Sequence, residues 1–161
     1  MALSLQDSNL VWQKVKAALA SANPAVVEQF QALKIYLATQ KGNPTLQFIP
    51  FGDADVTAAT GYSPIGAVAS TLYGVYFKKN GTGTGTATDS WLTLGNASTN
   101  TVDATKFVAL MTSVAGQEVS AVYPHGLIFG TDLTISGETS AQDGTESTGG
   151  DSGSGFVILG A

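Results

Sequence analysis

The feature that most constrains the fold is a two-residue hydrophobic alternation running through residues 117–136. In residues 118–123 and again in residues 127–135, apolar side chains recur at every second position, which places them on one face of an extended strand. The Pro124-His125-Gly126 step between these runs has turn chemistry, because proline fixes φ and lacks a donor while glycine permits a positive φ. The segment predicts two β-strands joined by a corner.

The first forty residues follow a helical period instead. Asp7 or Ser8 can cap a first helix, and Asn23-Pro24 supplies the N-cap and the first-turn proline of a second helix that runs to about Gln40. Gly42-Asn43-Pro44 ends it. The apolar positions recur at three- and four-residue spacing, and they are Val11, Val15, Ala18, Leu19, Val26, Phe30, Leu33 and Leu37.

From residue 45 onward, short β-type runs alternate with clusters of Gly, Asn, Asp and Thr, the pattern of a sandwich rather than of βαβ units. The predicted strands are 45–50 (an edge strand, because of Pro50), a brief one around Val56, 67–79, one beginning at Trp91, 107–114 and 156–159. Gly74 indicates a bulge or a close approach of another backbone. Residues 80–89, 96–105 and 137–155 are predicted to be exposed polar loops.

Two of these strands carry side-chain predictions. In residues 67–79 the alternation places Tyr73, Val75 and Phe77 on one face, and it places Leu72, Tyr76 and Lys78 on the other. Residues 107–114 are apolar on both faces, so we expect cover on both, with a helix as the competing interpretation.

These patterns define the predicted fold class and domains. The chain is expected to be mainly β, an antiparallel β-sandwich of jelly-roll type with a short N-terminal α-helical arm. The arm comprises residues 1–43 and acts as an adaptor, and the β-domain comprises residues 44–161.

Composition argues against several classes of partner. The formal net charge is −5, and all seven basic residues are lysines, so a phosphate-binding surface and bidentate arginine contacts are not expected. There is no cysteine, and no apolar run reaches the roughly 20 residues that span a bilayer. We therefore expect a protein made in the cytoplasm that binds neither nucleic acid nor membrane.

The surface is expected to carry few charges. Charged residues make up 12% of the chain, against about 25% in an ordinary globular domain. This composition favours a protein embedded in an assembly, and a neutral monomer coated with Thr and Ser is the alternative.

Candidate catalytic and metal-binding residues are few. Gly150-Asp151-Ser152-Gly153 matches the nucleophile signature of chymotrypsin-like proteases, but that chemistry needs a histidine base and a buried aspartate in a larger two-barrel fold. His125 is the single histidine, so one chain cannot form a His-based metal site. We expect no enzyme activity, no cofactor and no metal.

Two further sets of residues have the chemistry of binding sites. Acidic residues that could offer oxygen ligands to calcium do not match an EF-hand loop, and they are Asp53, Asp55, Asp143, Glu146 and Asp151. Aromatic residues that could stack on a sugar fall mostly at inward strand positions, and they are Tyr62, Tyr73, Tyr76, Trp91 and Tyr123.

Apolar residues with no obvious cover predict an oligomer or partner interface. Phe156 and Ile158 belong to a run of four consecutive apolar residues that point to both faces of a sheet, so a partner is expected to cover one face. The helical arm adds Val11, Val15, Phe30, Leu33 and Leu37. The alternative for these five is a helical pair packed against its own β-domain.

Residues 63–97, residues 115–137 and the terminal strand resemble a group of small tailed-bacteriophage structural proteins. The matching residues are Leu72, Tyr73, Val75, Phe77, Lys78, Asn80, Trp91, Leu92, Leu94, Asn96, Ala97, Gly116, Val119, Pro124, Gly126, Leu127, Phe129, Leu133 and Ile135. The resemblance covers about the last hundred residues, and it is a pattern of strands and turns.

The resemblance implies a capsid decoration (cement) protein or a related virion β-sandwich, often a homotrimer. Its partners would be copies of itself and the major capsid protein or another virion protein, at the capsid surface. The alternative is a head-fibre, tail or baseplate component that binds a host glycan through loops 80–89 and 137–155.

Overall fold

The computed structural model describes residues 6–56, 62–65, 68–80, 90–97, 106–138 and 153–160. Its helices are α1 Ser8–Ala18, α2 Pro24–Gln40 and the short α3 Asp53–Val56. Its strands are β1 Leu46–Phe51, β2 Ser70–Lys79, β3 Ser90–Gly95, β4 Lys106–Thr112, β5 Glu118–Phe129, β6 Thr134–Glu138 and β7 Gly153–Gly160. The described part of the chain is mainly β.

The strands form two antiparallel sheets. The four-stranded sheet has the order β1-β7-β2-β5, and the three-stranded sheet has the order β4-β3-β6. The edge position predicted for β1 is confirmed. Pro50 lies in this strand opposite Phe156 of β7, and an edge strand tolerates proline because its other side has no strand to receive an N–H donor. The last strand, β7, lies between β1 and β2 and is hydrogen-bonded on both sides.

The predicted corner at Pro124-His125-Gly126 is wrong, because β5 is one strand from Glu118 to Phe129. Leu72 pairs with Leu127 and Gly74 pairs with Val122, so the single residue between them on β2 faces four residues on β5. Gly126 has a φ of +84°. The Pro-His-Gly step is therefore a bulge that the neighbouring strand accommodates by pairing on both sides of it.

The chain turns after Phe129 instead, between β5 and β6. The Asn96 side-chain oxygen accepts a hydrogen bond from the Thr131 amide at 2.8 Å, and the Ser63 hydroxyl donates to the buried Asp132 carboxylate at 2.7 Å. These contacts hold the turn and lead the chain from one sheet into the other.

Because of this bulge, the faces predicted for two residues of β2 are wrong. Leu72 lies on the same side as Val75 and Phe77, whereas Tyr73 lies on the side of Tyr76, because the register shifts between Leu72 and Gly74. The bulge expected at Gly74 is confirmed, whereas the close approach there is made by side chains of α2 and not by another backbone. A Cβ atom there would lie 2.8 Å from Cε1 of Phe30 and 3.3 Å from Cδ2 of Leu33, so α2 rests directly on this backbone.

Two other local predictions differ from the structure. The brief strand expected around Val56 is the helical turn α3 instead. Residues 107–114 do contain a strand, β4, but within one chain its outward face is not covered, because Phe107 is 46% exposed and Met111 is 43% exposed. Most of the predicted loops, 81–89, 98–105 and 139–152, lie outside the described residues.

Buried apolar side chains form two clusters, one on each face of the four-stranded sheet. The inter-sheet cluster contains residues of both sheets, and its strand members include Leu72, Val75, Phe77, Leu92, Leu94, Val108, Phe129, Ile135, Val157 and Leu159. The helix-side cluster comprises Val11, Trp12, Val15, Leu19, Phe30, Leu33, Leu37, Leu46, Tyr76, Phe156 and Ile158.

A domain boundary at residue 43 would divide the helix-side cluster. The apolar faces of α1 and α2 are covered by β1, β2 and β7, and the Gln6 amide donates to the Leu46 carbonyl at 2.7 Å before α1 begins. The helices therefore cover one face of the four-stranded sheet, and that face includes large apolar side chains that would otherwise meet water.

We expect a chain that begins near Thr45 to lose cooperative folding, because deletion of both helices exposes Leu46, Phe156 and Ile158. Urea unfolding followed by circular dichroism would test this. As a graded version, Phe30→Ala in the full chain is expected to lower the free energy of unfolding by about 3–5 kcal/mol.

The matched control is Ile35→Ala on the same helix, where the side chain is 63% exposed and the expected change is within about 0.5 kcal/mol. A truncated chain that is soluble and unfolds cooperatively would show that residues 1–43 are a separable adaptor.

Candidate functional site

The ends of both helices are fixed by local hydrogen bonds. The Asp7 carboxylate accepts from the Asn9 amide at 2.9 Å, and the Asn23 side chain accepts from the Ala25 amide at 3.0 Å, so the predicted N-caps are confirmed. At the other end of α2, the Asn43 amide donates to the Leu37 carbonyl at 2.9 Å across the left-handed residue Gly42.

The two helices are placed by different strands of the four-stranded sheet. The backbone of α1 approaches the edge strand β1, and that of α2 approaches the edge strand β5, while Phe30 of α2 packs over Gly74 of β2. A groove lies between the two helices.

This groove has a cavity volume of about 500 Å³. Its lining comes entirely from the two helices and the start of the turn after α1, and it comprises Trp12, Val15, Lys16, Leu19, Ala20, Val27, Phe30, Gln31 and Lys34. Trp12, Val15 and Phe30 are buried and form its base, whereas Lys16 and Lys34 are exposed at its rim. Among the described residues, none that lines the groove carries a carboxylate.

Glu118 of β5 fixes one wall of the groove by holding the start of α2. One of its carboxylate oxygens accepts from the Asn23 amide at 2.8 Å, and the other accepts from the Tyr76 hydroxyl at 2.8 Å. Burial raises the pKa of the Tyr76 phenol, and the hydrogen bond to Glu118 and the charge of that carboxylate raise it further. Tyr76 therefore stays neutral and able to donate this hydrogen bond over a wide pH range.

His125 holds α2 against β5 further along. Its Nδ1 atom lies 3.2 Å from the Tyr36 hydroxyl, and the two rings meet edge to face with centroids 5.5 Å apart. The histidine is exposed and sits in the bulge of β5. Its observed role is thus a contact between helix and strand.

All seven residues predicted for an oligomer or partner interface lie together within one chain. Val11, Val15, Phe30, Leu33, Leu37, Phe156 and Ile158 belong to the helix-side cluster, and none is more than 3% exposed. The structure thus shows the helical pair packed on its own sheet, so these side chains need no partner as cover. Ile158→Asp would place a charge in this cluster, and we expect unfolding rather than simple dissociation.

The structure describes only Asp53 and Asp55 of the candidate catalytic and calcium-binding acids. Asp143, Glu146, Asp151 and Ser152 lie outside the described residues. Asp55 accepts a hydrogen bond from the Gly52 amide at 2.8 Å and Asp53 accepts from the Asn80 side chain at 3.0 Å, so both stabilise the local fold around α3. Within the described ranges, no three His, Asp or Glu side chains lie close enough to share a metal ion.

The aromatic residues considered for sugar stacking do not form one surface. Tyr73 and Tyr76 lie in or against the helix-side cluster, whereas Tyr62 and Tyr123 pack against the inter-sheet cluster. Burial raises the pKa of both Tyr62 and Tyr123, and the charge of Asp55 adds to the effect at Tyr62. Trp91 is half-buried on β3.

Sequence patterns did not reveal the groove, because its walls belong to helices that are placed by different edge strands. One signal was present. Trp12 directly follows Val11 and lies next to the predicted apolar stripe of α1. A large apolar side chain at this position indicates that the apolar surface of α1 is wider than the stripe itself.

Comparison of the chain with protein-family models, with curated proteins and with solved structures found no match. In the part of the chain that the structure describes, no helix is long and apolar enough to cross a membrane.

The Tyr76–Glu118 contact predicts a pH dependence of stability. A phenol whose pKa is raised on folding contributes stability that is complete below its unfolded pKa of about 10 and is lost as the pH rises above it. We expect Tyr76→Phe to lower the free energy of unfolding by about 1.5–3 kcal/mol at neutral pH, as for a hydrogen bond to a charged group. The deficit should shrink above pH 10.

Urea unfolding from pH 7 to pH 11 would measure this difference. Glu118→Gln is the matched control, because it removes the charge and keeps an acceptor oxygen. The free energy of unfolding that this variant loses between pH 7 and pH 11 should lie between the losses of the wild type and of Tyr76→Phe. A difference between wild type and Tyr76→Phe that stays constant across the range would contradict the proposed linkage.

Proposed function

We propose that this chain is a structural protein of a tailed-bacteriophage virion, a capsid decoration protein that binds the outer surface of the shell and stabilises it. The proposal has two supports, the pattern of matching residues described above and the surface that the fold leaves exposed. It includes the finer fold assignment, an antiparallel β-sandwich of jelly-roll type.

The matching residues support the fold part of the proposal. Most of the apolar ones lie in the inter-sheet cluster, namely Leu72, Val75, Phe77, Leu92, Leu94, Phe129, Leu133 and Ile135. All but Leu133, which lies in the turn before β6, come from strands, and both sheets are represented, so the similarity lies in how two sheets share a core. A shared core pattern supports a fold, and a function needs evidence from the surface.

The observation that carries the functional part is the exposed apolar side of β4. Phe107 and Met111 on this strand, and Val114 just after it, are 46%, 43% and 60% exposed. Among the described residues, no strand pairs with the outer edge of β4. An open edge with apolar side chains is suited to a second protein surface, because association buries the side chains and satisfies the free backbone groups.

Phe107 reaches this surface through an irregularity in the strand pairing. Leu94 pairs with Val108 and Gly95 pairs with Lys106, so Phe107 is the extra residue of a bulge. Its ring lies 5.3 Å from that of the fully buried Phe129. One side of Phe107 therefore covers the inter-sheet cluster, and its other side is available to a partner.

We assign the shell protein as the partner of this surface. A homotrimer is the oligomer suggested by the resemblance, and an interface built on β7 is not part of the proposal because both faces of β7 are covered within the chain. Decoration requires many copies, so copy number separates this function from the fibre, tail or baseplate alternative.

We expect purified particles to contain the protein at a copy number comparable with that of the shell protein, as measured by quantitative mass spectrometry. A few copies per particle would favour the fibre or tail assignment. Absence from the particle would remove the virion role.

We further expect Met111→Asp combined with Val114→Asp to weaken binding to particles that lack the protein by at least tenfold. Phe107 is left unchanged because it also covers Phe129. Sedimentation of labelled protein with the particles would measure binding, and Ile35→Asp, an exposed apolar residue on α2, is the matched control. Equal binding by the double variant and the control would exclude β4 as the docking surface.

A further inference from the structure

The groove between α1 and α2 has the dimensions of a ligand site. Its volume of about 500 Å³ lies within the roughly 300–1,000 Å³ range of small-molecule sites. It lies on the helix side of the four-stranded sheet, whereas β4 belongs to the other sheet. A ligand here would therefore be independent of the proposed docking surface.

The size of the groove limits what can enter. Its volume of about 500 Å³ is that of a site for a small molecule. Because the groove runs between two helices, an elongated ligand such as a single unbranched alkyl chain suits its shape.

The polarity of the lining limits the ligand further. The base is apolar and includes the ring of Trp12, whose side chain is 7% exposed, and the buried ring of Phe30. Lys16 in the last turn of α1 and Lys34 of α2 both line the groove and are exposed, so each helix contributes one positive charge, and no described residue of the lining carries a carboxylate. The chain as a whole carries a net charge of −5, which makes this local pair of positive charges a distinct feature.

We propose that this groove binds a single-chain amphipathic anion, an unbranched alkyl carboxylate, with its chain along Trp12 and Phe30 and its head group between Lys16 and Lys34. The apolar chain replaces water over the base of the groove. The carboxylate pairs with two lysines that come from different helices, so binding also ties the two helices together. Gln31 offers its side-chain amide as a further donor at the rim.

The experiment is titration of the full chain with dodecanoate below its micellar concentration, by isothermal calorimetry and by quenching of Trp12 fluorescence in a Trp91→Phe background. We expect saturable binding of one molecule per chain. Dodecyltrimethylammonium, which has the same chain and the opposite charge, is expected to bind at least tenfold more weakly. Acetate, which lacks the chain, is expected not to bind.

Two variants test the two halves of the site. Lys16→Gln combined with Lys34→Gln is expected to weaken dodecanoate binding at least tenfold, whereas Lys14→Gln combined with Lys41→Gln removes the same charge elsewhere and is expected to leave binding within twofold. Ala20→Phe, at the exposed rim, is expected to fill part of the groove and weaken binding with both lysines present. Circular dichroism would confirm that each variant is folded.

Three results would overturn the proposal: no saturable binding of dodecanoate, equal binding of the cationic amphiphile, or an equal loss in the two double-lysine variants. Binding of an acidic amphipathic peptide in place of dodecanoate would also overturn it, and would identify the groove as a protein-docking surface instead.

Discussion

The fold depends on the burial of one strand, β7, on all four of its sides. Its backbone is hydrogen-bonded to β1 on one side and to β2 on the other. Phe156 and Ile158 point into the helix-side cluster, and Val157 and Leu159 point into the inter-sheet cluster. Because this strand supplies fully buried side chains to both clusters, the helices and the second sheet are stabilised by the same eight residues.

The close approach of the layers depends on the absence of side chains at a few points. Gly155 of β7 lies against the Tyr76 carbonyl and leaves no room for a Cβ atom, and Gly74 leaves the space that the ring of Phe30 occupies. Once α2 is seated at Gly74, Glu118 fixes its N-cap residue by accepting a hydrogen bond from the Asn23 amide. The position of α2 over β5, and hence the open groove beside it, follows from these contacts.

Local signals were sufficient for the starts of the two long helices and for the edge position of β1. Asp7 and Asn23-Pro24 mark the starts of both helices, and Pro50 marks an edge strand, because capping and proline chemistry act within a few residues. Gly74 indicated a bulge at this position, but the size of the bulge and its effect on the faces of β2 were not predictable in the same way. A period-two pattern assumes an unbroken register, and the three additional residues on β5 become visible only when its partner strand is known.

Whether the candidate residues form a site depends on contacts between segments that are far apart in the sequence. A run of four apolar residues at the end of a chain fits both an interface and a central strand, and only the insertion of β7 between β1 and β2 distinguishes them. The same holds for the groove. Lys16 and Lys34 lie on separate helices, and their shared position depends on the order of the strands beneath them.

The low charge of the chain has a partial explanation inside the fold. On the three-stranded sheet, Thr93, Thr134 and Ser136 are buried, and the Thr93 hydroxyl donates to the Ser136 carbonyl at 3.4 Å. Since strand alternation places Thr93 on the face opposite Leu92 and Leu94, hydroxyl side chains occupy buried positions there in place of charged ones. Composition alone therefore does not require an assembly. The argument for a partner depends on β4, where Phe107 and Met111 are exposed at an edge that no described strand covers.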